Sequence, residues 1–208
     1  MQGKKNSFLT INDYQETKHP VGKCRFITSV APVKDESRAR KFISGIREKY
    51  PDATHHVYAY RLGIGNNIVE RSSDDREPAG TGGLPVLGVI RKKELTETVV
   101  VVTRYFGGVK LGVGGLIRAY RAAAEKGLSS VKTVKKYRMC RLKVLISYEK
   151  TGQLMRLISS FKGEVVNNIY DEKVTVVFLL FSGDIDKFKK NLKDATGGDA
   201  IILSEKED

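Results

Sequence analysis

The chain has 208 residues, enough for one large domain or two modest ones that each bury a core. A composition of 40% hydrophobic and 29% charged residues reads as a soluble globular protein, and no apolar run reaches the roughly 18 residues that would mark a membrane helix. The formal net charge of +13 favours a polyanionic partner such as RNA, because lysine and arginine displace condensed counterions from phosphates.

The excess charge is unevenly placed. Residues 1–132 carry 23 Lys and Arg against 13 Asp and Glu, a balance of +10, and residues 133–208 carry 14 against 11, a balance of +3. The first ten residues are polar and basic with no apolar h-region, so no secretory signal and a cytoplasmic location are expected. Cys24 and Cys140 stand far apart without CxxC spacing. They suit a reducing compartment and read as buried small hydrophobes, so no metal or cofactor is expected from them.

In chain order, residues 24–32 alternate as a strand. Asp35 and Glu36 open a helix to about residue 50, with Arg47 and Lys49 near its end to match the dipole and Phe42, Ile43 and Ile46 as its apolar stripe. Residues 56–62 read as a strand, 63–67 as a turn, 68–70 as a short strand edge, and 83–89 as a helix or irregular segment. The apolar run Val99-Val100-Val101-Val102 is a core strand, and residues 116–128 form a helix burying Leu116, Tyr120, Ala123 and Ala124. A second domain is expected over residues 137–208: strand 138–147, helix 151–161, strand 164–170, strand 173–181, a helix from Asp184 to about 195, and strand 200–203. The order βαββαβ is the ferredoxin-like plan.

Two blocks concentrate the unusual chemistry. The first is Asp74-Asp75-Arg76-Glu77-Pro78-Ala79-Gly80-Thr81-Gly82-Gly83, and the second is Arg104-Tyr105-Phe106-Gly107-Gly108-Val109-Lys110-Leu111-Gly112-Val113-Gly114-Gly115. A glycine-rich loop between a strand and a helix turns several backbone N–H groups toward the positive end of the helix dipole and suits an anion, most often phosphate. Standard nucleotide loops do not fit. Gly107 and Gly112 have Walker A spacing, but Val113 stands where lysine is needed, and Ile117 occupies the third glycine position of the dinucleotide fingerprint begun by Gly112 and Gly114. The glycines would otherwise serve tight turns and close strand–helix packing.

Together with Thr54-His55-His56 and Ala59-Tyr60-Arg61, these blocks resemble the YigZ/IMPACT family, over about residues 24–128, with the remainder similar to the second domain of its bacterial branch. Arg76 departs from the family pattern, where glycine is expected, and His56 departs where a small polar residue is expected. The resemblance implies an α+β fold in two domains. Residues 1–132 would form an α/β sandwich like domain 2 of ribosomal protein S5, and residues 137–208 a ferredoxin-like domain similar to domain V of elongation factor G. Eukaryotic relatives couple a similar domain to a different partner-binding domain and restrain a translation-initiation stress pathway.

The expected phosphate or nucleic-acid contacts are Arg104, Tyr105, Phe106, Gly107, Gly108, Lys110, Gly112, Gly114, Gly115 and Arg118, with Asp74, Asp75, Glu77, Gly80 and Thr81 as a supporting acidic loop. The acids allow three readings: oxygen ligands for a divalent metal, a general acid–base pair, or turn and salt-bridge partners of Arg104 or Arg118. Tyr105-Phe106 offers either a stacking platform for a base or core packing. No nucleophile–base set is evident, so no catalytic residue is assigned. The leading expectation is a translation regulator that binds RNA or the ribosome, with a possible protein partner through the second domain and no membrane association. The alternative is an enzyme acting on a phosphorylated small molecule or nucleotide at the same loop.

Overall fold

The computed structural model describes residues 7–207; the basic start of the chain, residues 1–6, and the last residue lie outside the described residues, so the expectation about a leader is not addressed there. The chain divides into two compact units, Phe8–Lys136 and one beginning at Tyr137. The α+β class, with a sandwich followed by a ferredoxin-like unit, is what the structure shows. Among the described residues no helix is long and apolar enough to cross a membrane.

The first unit is organised around β6 (Thr98–Tyr105), whose four consecutive valines are fully buried. Strand pleating sends Val99 and Val101 to one face and Val100 and Val102 to the other, so such a run belongs to a strand covered on both sides. β6 pairs antiparallel with β3 (Cys24–Pro32) and β4 (His55–Leu62), and β2 (Gln15–Val21) and β5 (Val69–Ser73) complete the order β2-β3-β6-β4-β5. On one face α1 (Glu36–Lys49) sets Ala39, Ile43 and Ile46 against Val99, Val101 and Tyr60. On the other, α2 (Gly83–Lys92) and α3 (Gly112–Ser129) bury Val86, Ile90, Leu116, Tyr120 and Ala123 with Phe26, Val30, Val100 and Val102.

Local chemistry explains these elements. The Asp35 carboxylate accepts the Arg38 N–H at 2.8 Å and caps α1, while Arg47 and Lys49 occupy its last turn. The small residues of α3 let it lie directly on β3: a Cβ on Gly127 would come 2.5 Å from Thr28 Cγ2, and Thr28 Oγ1 donates to the Ala123 carbonyl at 3.1 Å. Three elements were not anticipated, namely β2, β1 (Ser7–Ile11) and its partner β7 (Thr133–Tyr137). β2 is Gln-Glu-Thr-Lys-His-Pro-Val, polar and proline-bearing, and lies at a sheet edge where proline is tolerated. α3 begins at Gly112 rather than near residue 116, because glycines of low helix propensity hide its first turn.

In the second unit β8 (Met139–Ile146), α4 (Tyr148–Ser160), β9 (Glu164–Tyr170), β10 (Val174–Phe181), α5 (Ile185–Thr196) and β11 (Ile201–Glu207) form an antiparallel sheet of order β11-β8-β10-β9. Leu142, Val144, Phe178 and Leu180 pack on Leu154, Ile158, Phe188 and Leu192. Asp184 stands at the N-cap position of α5 but makes no side-chain capping bond.

The edge strand β2 is tied to α1 by one carboxylate. Glu16 accepts Tyr50 Oη (2.7 Å) on Oε1, and Lys49 Nζ (2.8 Å), Tyr14 Oη (2.9 Å) and Ser29 Oγ (3.2 Å) on Oε2. Burial pulls the Glu16 pKa up, but the bonds from Lys49, Tyr50 and Tyr14 prevail and lower it to about 2. The stabilisation is therefore complete above the ordinary value of 4.5 and is lost as pH falls through about 2. Replacing Glu16 with Gln is expected to flatten the dependence of urea stability on pH across this acid window; an unchanged dependence would contradict the role of Glu16.

Candidate nucleic-acid interface

The two glycine-bearing blocks meet in the first unit, each fixed by a different carboxylate. Asp74 follows β5 and turns into the start of α2. Its Oδ2 accepts Gly80 N–H at 2.9 Å, and its Oδ1 accepts Gly82 at 2.9 Å and Gly83 at 2.8 Å. Burial raises the Asp74 pKa, yet the three backbone donors outweigh it and hold the carboxyl below its usual range. The anion-binding amides at the start of α2 are thus occupied by the protein's own carboxylate. Thr81 is buried and donates its hydroxyl to the Pro78 carbonyl at 2.7 Å.

Asp75 points elsewhere. Its Oδ1 accepts Arg47 Nη2 at 2.8 Å and its Oδ2 accepts the His56 backbone N–H at 2.6 Å. His55 Nδ1 lies 2.8 Å from the Asp75 carbonyl oxygen. Burial pushes the His56 imidazole pKa down, although the Tyr50 carbonyl 3.0 Å from Nε2 and the Asp75 charge oppose it. Asp75 and Arg76 both adopt left-handed backbone, with φ of 45° and 72°. Arg76 stands where the family resemblance expects glycine, and the positive φ supplies the reason.

Glu77 is the link between the blocks. Its Oε1 accepts Arg104 Nη1 at 2.6 Å and Tyr120 Oη at 2.7 Å, with His55 Nε2 at 3.7 Å. Both members of the ion pair are buried, with side-chain exposures of 4% for Glu77 and 5% for Arg104. The Arg104 guanidinium also lies 5.7 Å from the Phe26 ring centroid, 5.5 Å from that of Phe106, and 3.6 Å from Cys24 Sγ through Nη2. Burial, then the Glu77 bond, drive the Tyr120 hydroxyl pKa far upward. Arg104 therefore differs from the expectation of a surface phosphate contact. It shares the sheet face of Val100 and Val102, and its charge is spent on Glu77. Of the readings open for the acids, turn and salt-bridge partnership describes their contacts in the structure. Among the described residues no group of three or more His, Cys, Asp or Glu side chains converges to hold a metal ion.

Beyond Arg104 the second block reaches the surface. Tyr105 is half-buried and donates its hydroxyl to Asp52 Oδ1 at 2.8 Å, while Phe106 is 47% exposed and donates its N–H to Thr54 Oγ1. Gly107 packs on the β2–β3 hairpin, where a Cβ would stand 2.1 Å from the Lys23 carbonyl carbon. Gly108 and Gly112 have φ of 85° and 69°. Gly112, Gly114 and Gly115 belong to the first turn of α3, which has no side-chain cap and no acidic residue. Lys110 and Arg118 flank it, both exposed, and among the described residues neither forms an ion pair. The hairpin also brings exposed Lys23 beside Gly107 and sets exposed Arg25 across from Tyr105. These cations were missed because β2 was not read as a strand; the turn Val21-Gly22-Lys23-Cys24 was the available signal.

Two predictions follow from this geometry. Glu77→Gln should cost about 3–5 kcal/mol in urea unfolding, since it leaves the Arg104 charge buried without its counter-charge. A loss below about 1 kcal/mol, the range of exposed pairs, would show that the pair is not buried as described. Arg76→Gly should stabilise the protein by about 1 kcal/mol by removing the left-handed penalty of an L side chain, and a destabilised variant would contradict the observed φ.

Known proteins share this arrangement of sequence and fold. Residues 22–128 match the family model of the Impact N-terminal domain, and residues 144–199 match that of a domain of unknown function, DUF1949. The chain is 32% identical to the IMPACT family member YvyE of Bacillus subtilis, over 95% of this chain and 90% of that protein. It is 30% identical to the IMPACT family member YigZ of Escherichia coli, over 88% and 91% of the respective chains. A crystal structure described as that of a hypothetical protein superposes with a TM-score of 0.68 at 29% identity, covering 96% of this chain and 97% of the other. The first match spans both blocks and the Glu77–Arg104 pair that joins them, and the two relatives align over most of this chain's length: the chain belongs to the IMPACT family.

Proposed function

We propose that this protein is a cytoplasmic RNA- or ribosome-associated binding protein that modulates translation, contacting phosphate at the start of α3. The observation that carries this reading is the contrast between two glycine-rich helix starts. The start of α2 is filled by Asp74, whereas that of α3 has neither a side-chain cap nor an acid and lies between exposed Lys110 and Arg118. Unpaired N–H groups at a helix start and adjacent cations act together on an anion. Lys23 and Arg25 extend the positive surface, in keeping with the +10 balance of residues 1–132, obtained from 23 basic and 13 acidic residues. Family membership supports translation as the setting through the eukaryotic relatives that the sequence resembles. The second unit would widen the contact or take a protein partner; its edge strand β9 exposes Val166, Ile169 and Tyr170.

In this reading Arg104 positions the loop and does not touch phosphate. Binding to ribosomes or single-stranded RNA should weaken in Lys110→Ala/Arg118→Ala, with the slope of log affinity against log salt falling by about 1 for each cation removed. Co-sedimentation and salt titration measure both quantities. Equal affinity and equal slope in the double variant and the wild type would remove this site from the interface.

A further inference from the structure

The α1 face of the first sheet has an open end. α1 stops at Lys49 over Val99 and Val101, and past it β3 and β6 continue through Ile27, Arg25 and Tyr105. These residues, with Tyr50 at the end of α1 and Lys18 and Pro20 on β2, line a pocket of about 460 Å³. That volume lies in the range of small-ligand sites, roughly 300–1,000 Å³. Tyr50, Tyr105 and Ile27 share the lining with Glu16, His19 and Phe26. The Arg25 guanidinium lies 4.6 Å from the Tyr105 ring centroid.

The charges around this pocket are sorted. Glu16 lines it too, but its oxygens are taken by Tyr14, Ser29, Lys49 and Tyr50. Asp52, which accepts the Tyr105 hydroxyl, is the acid nearest that ring by hydrogen bond. Lys18, Lys23 and Arg25 are exposed and form no ion pair among the described residues. A ligand suited to both features is a flat aromatic ring attached to a negatively charged backbone.

We propose that the pocket holds one unpaired nucleobase of a single-stranded RNA, between Tyr50, Tyr105 and Ile27, with the flanking phosphates on Lys18, Lys23 and Arg25. This rests on the RNA reading of the preceding section and names the part of the RNA that enters the fold. The hairpin that carries Lys23 and Arg25 abuts Gly107, in the loop that leads from the pocket's Tyr105 to the start of α3 on the opposite face of the sheet. Base stacking on aromatic side chains is tolerant of base identity, so the site would favour unstacked RNA without reading a sequence.

The test compares a short oligoadenylate with an abasic sugar–phosphate strand of equal length, using the full chain and fluorescence anisotropy. The base-bearing strand should bind about tenfold tighter, the gain of one stacked base. Tyr105→Leu should erase that preference. Tyr105→Phe, which loses only the bond to Asp52, should keep it, which separates loss of the ring from damage to the fold. Lys110→Ala/Arg118→Ala should weaken both strands alike. Equal binding of the two strands by the wild type, or a preference that survives Tyr105→Leu, would overturn the pocket assignment while leaving RNA binding intact. Equal binding would also return the pocket to an aromatic side chain of a protein partner. Binding to neither strand would overturn both readings.

Discussion

The buried ion pair between Glu77 and Arg104 is the constraint on which the first unit's surface depends. Arg104 ends the buried part of the central strand, and Glu77 sits in the turn leading to α2. Their 2.6 Å contact, with Tyr120 of α3 on the same carboxylate oxygen, ties three elements at one point. Burying two charges is expensive, and Arg104 Nε is buried without a hydrogen-bond partner, so the contacts to Glu77 and the neighbouring rings carry the compensation. Here the guanidinium also lies near the Phe26 and Phe106 ring centroids, at 5.7 and 5.5 Å. A hydrophobic cluster of equal volume would supply cohesion without direction. The ion pair anchors Arg104 at the end of the buried strand, two residues before exposed Phe106 and the loop toward Lys110.

The same unit uses backbone amides in two opposite ways. At α2 the three N–H groups of Gly80, Gly82 and Gly83 converge on Asp74, so an external anion would have to displace a carboxylate already held by three donors. At α3 nothing comparable is present. Gly112–Gly115 begin the helix in the open, flanked by cations rather than acids. Similar glycine patterns therefore produce one closed structural turn and one surface suited to phosphate. The difference lies in whether a carboxylate is in reach.

Much of the fold was legible because it rests on local pattern. Four consecutive valines required a strand covered on both faces, Asp35 before the stripe Phe42, Ile43 and Ile46 located α1, and the βαββαβ order of the second unit emerged from alternating periods. β2 was hidden because its pairing with β3 is made by backbone groups, while its side chains are polar and include Pro20. The candidate site was legible in its outline only. Lys110 in the loop and Arg118 on α3 lie at the surface, but Arg104 lies inside. Alternation alone carried that information, since Arg104 has the parity of Val100 and Val102. A salt bridge to the acidic loop was one of the readings open for Asp74, Asp75 and Glu77, and the fold selects Glu77, 27 positions away in sequence. The rim cations Lys23 and Arg25 were missed with β2, although the turn at Gly22 carried the signal.

If the buried pair sets the position of the loop proposed to contact phosphate, surface cations alone will not be enough for RNA binding. The decisive measurement is the RNA affinity of Glu77→Gln/Arg104→Met, in which both buried charges are neutralised, the net charge of +13 is unchanged, and Lys110 and Arg118 remain. Circular dichroism would first establish that the variant is folded. The folded variant should bind RNA clearly more weakly than the wild type. Wild-type affinity would contradict it, and would mean that the exposed cations act without the geometry that Glu77 and Arg104 impose.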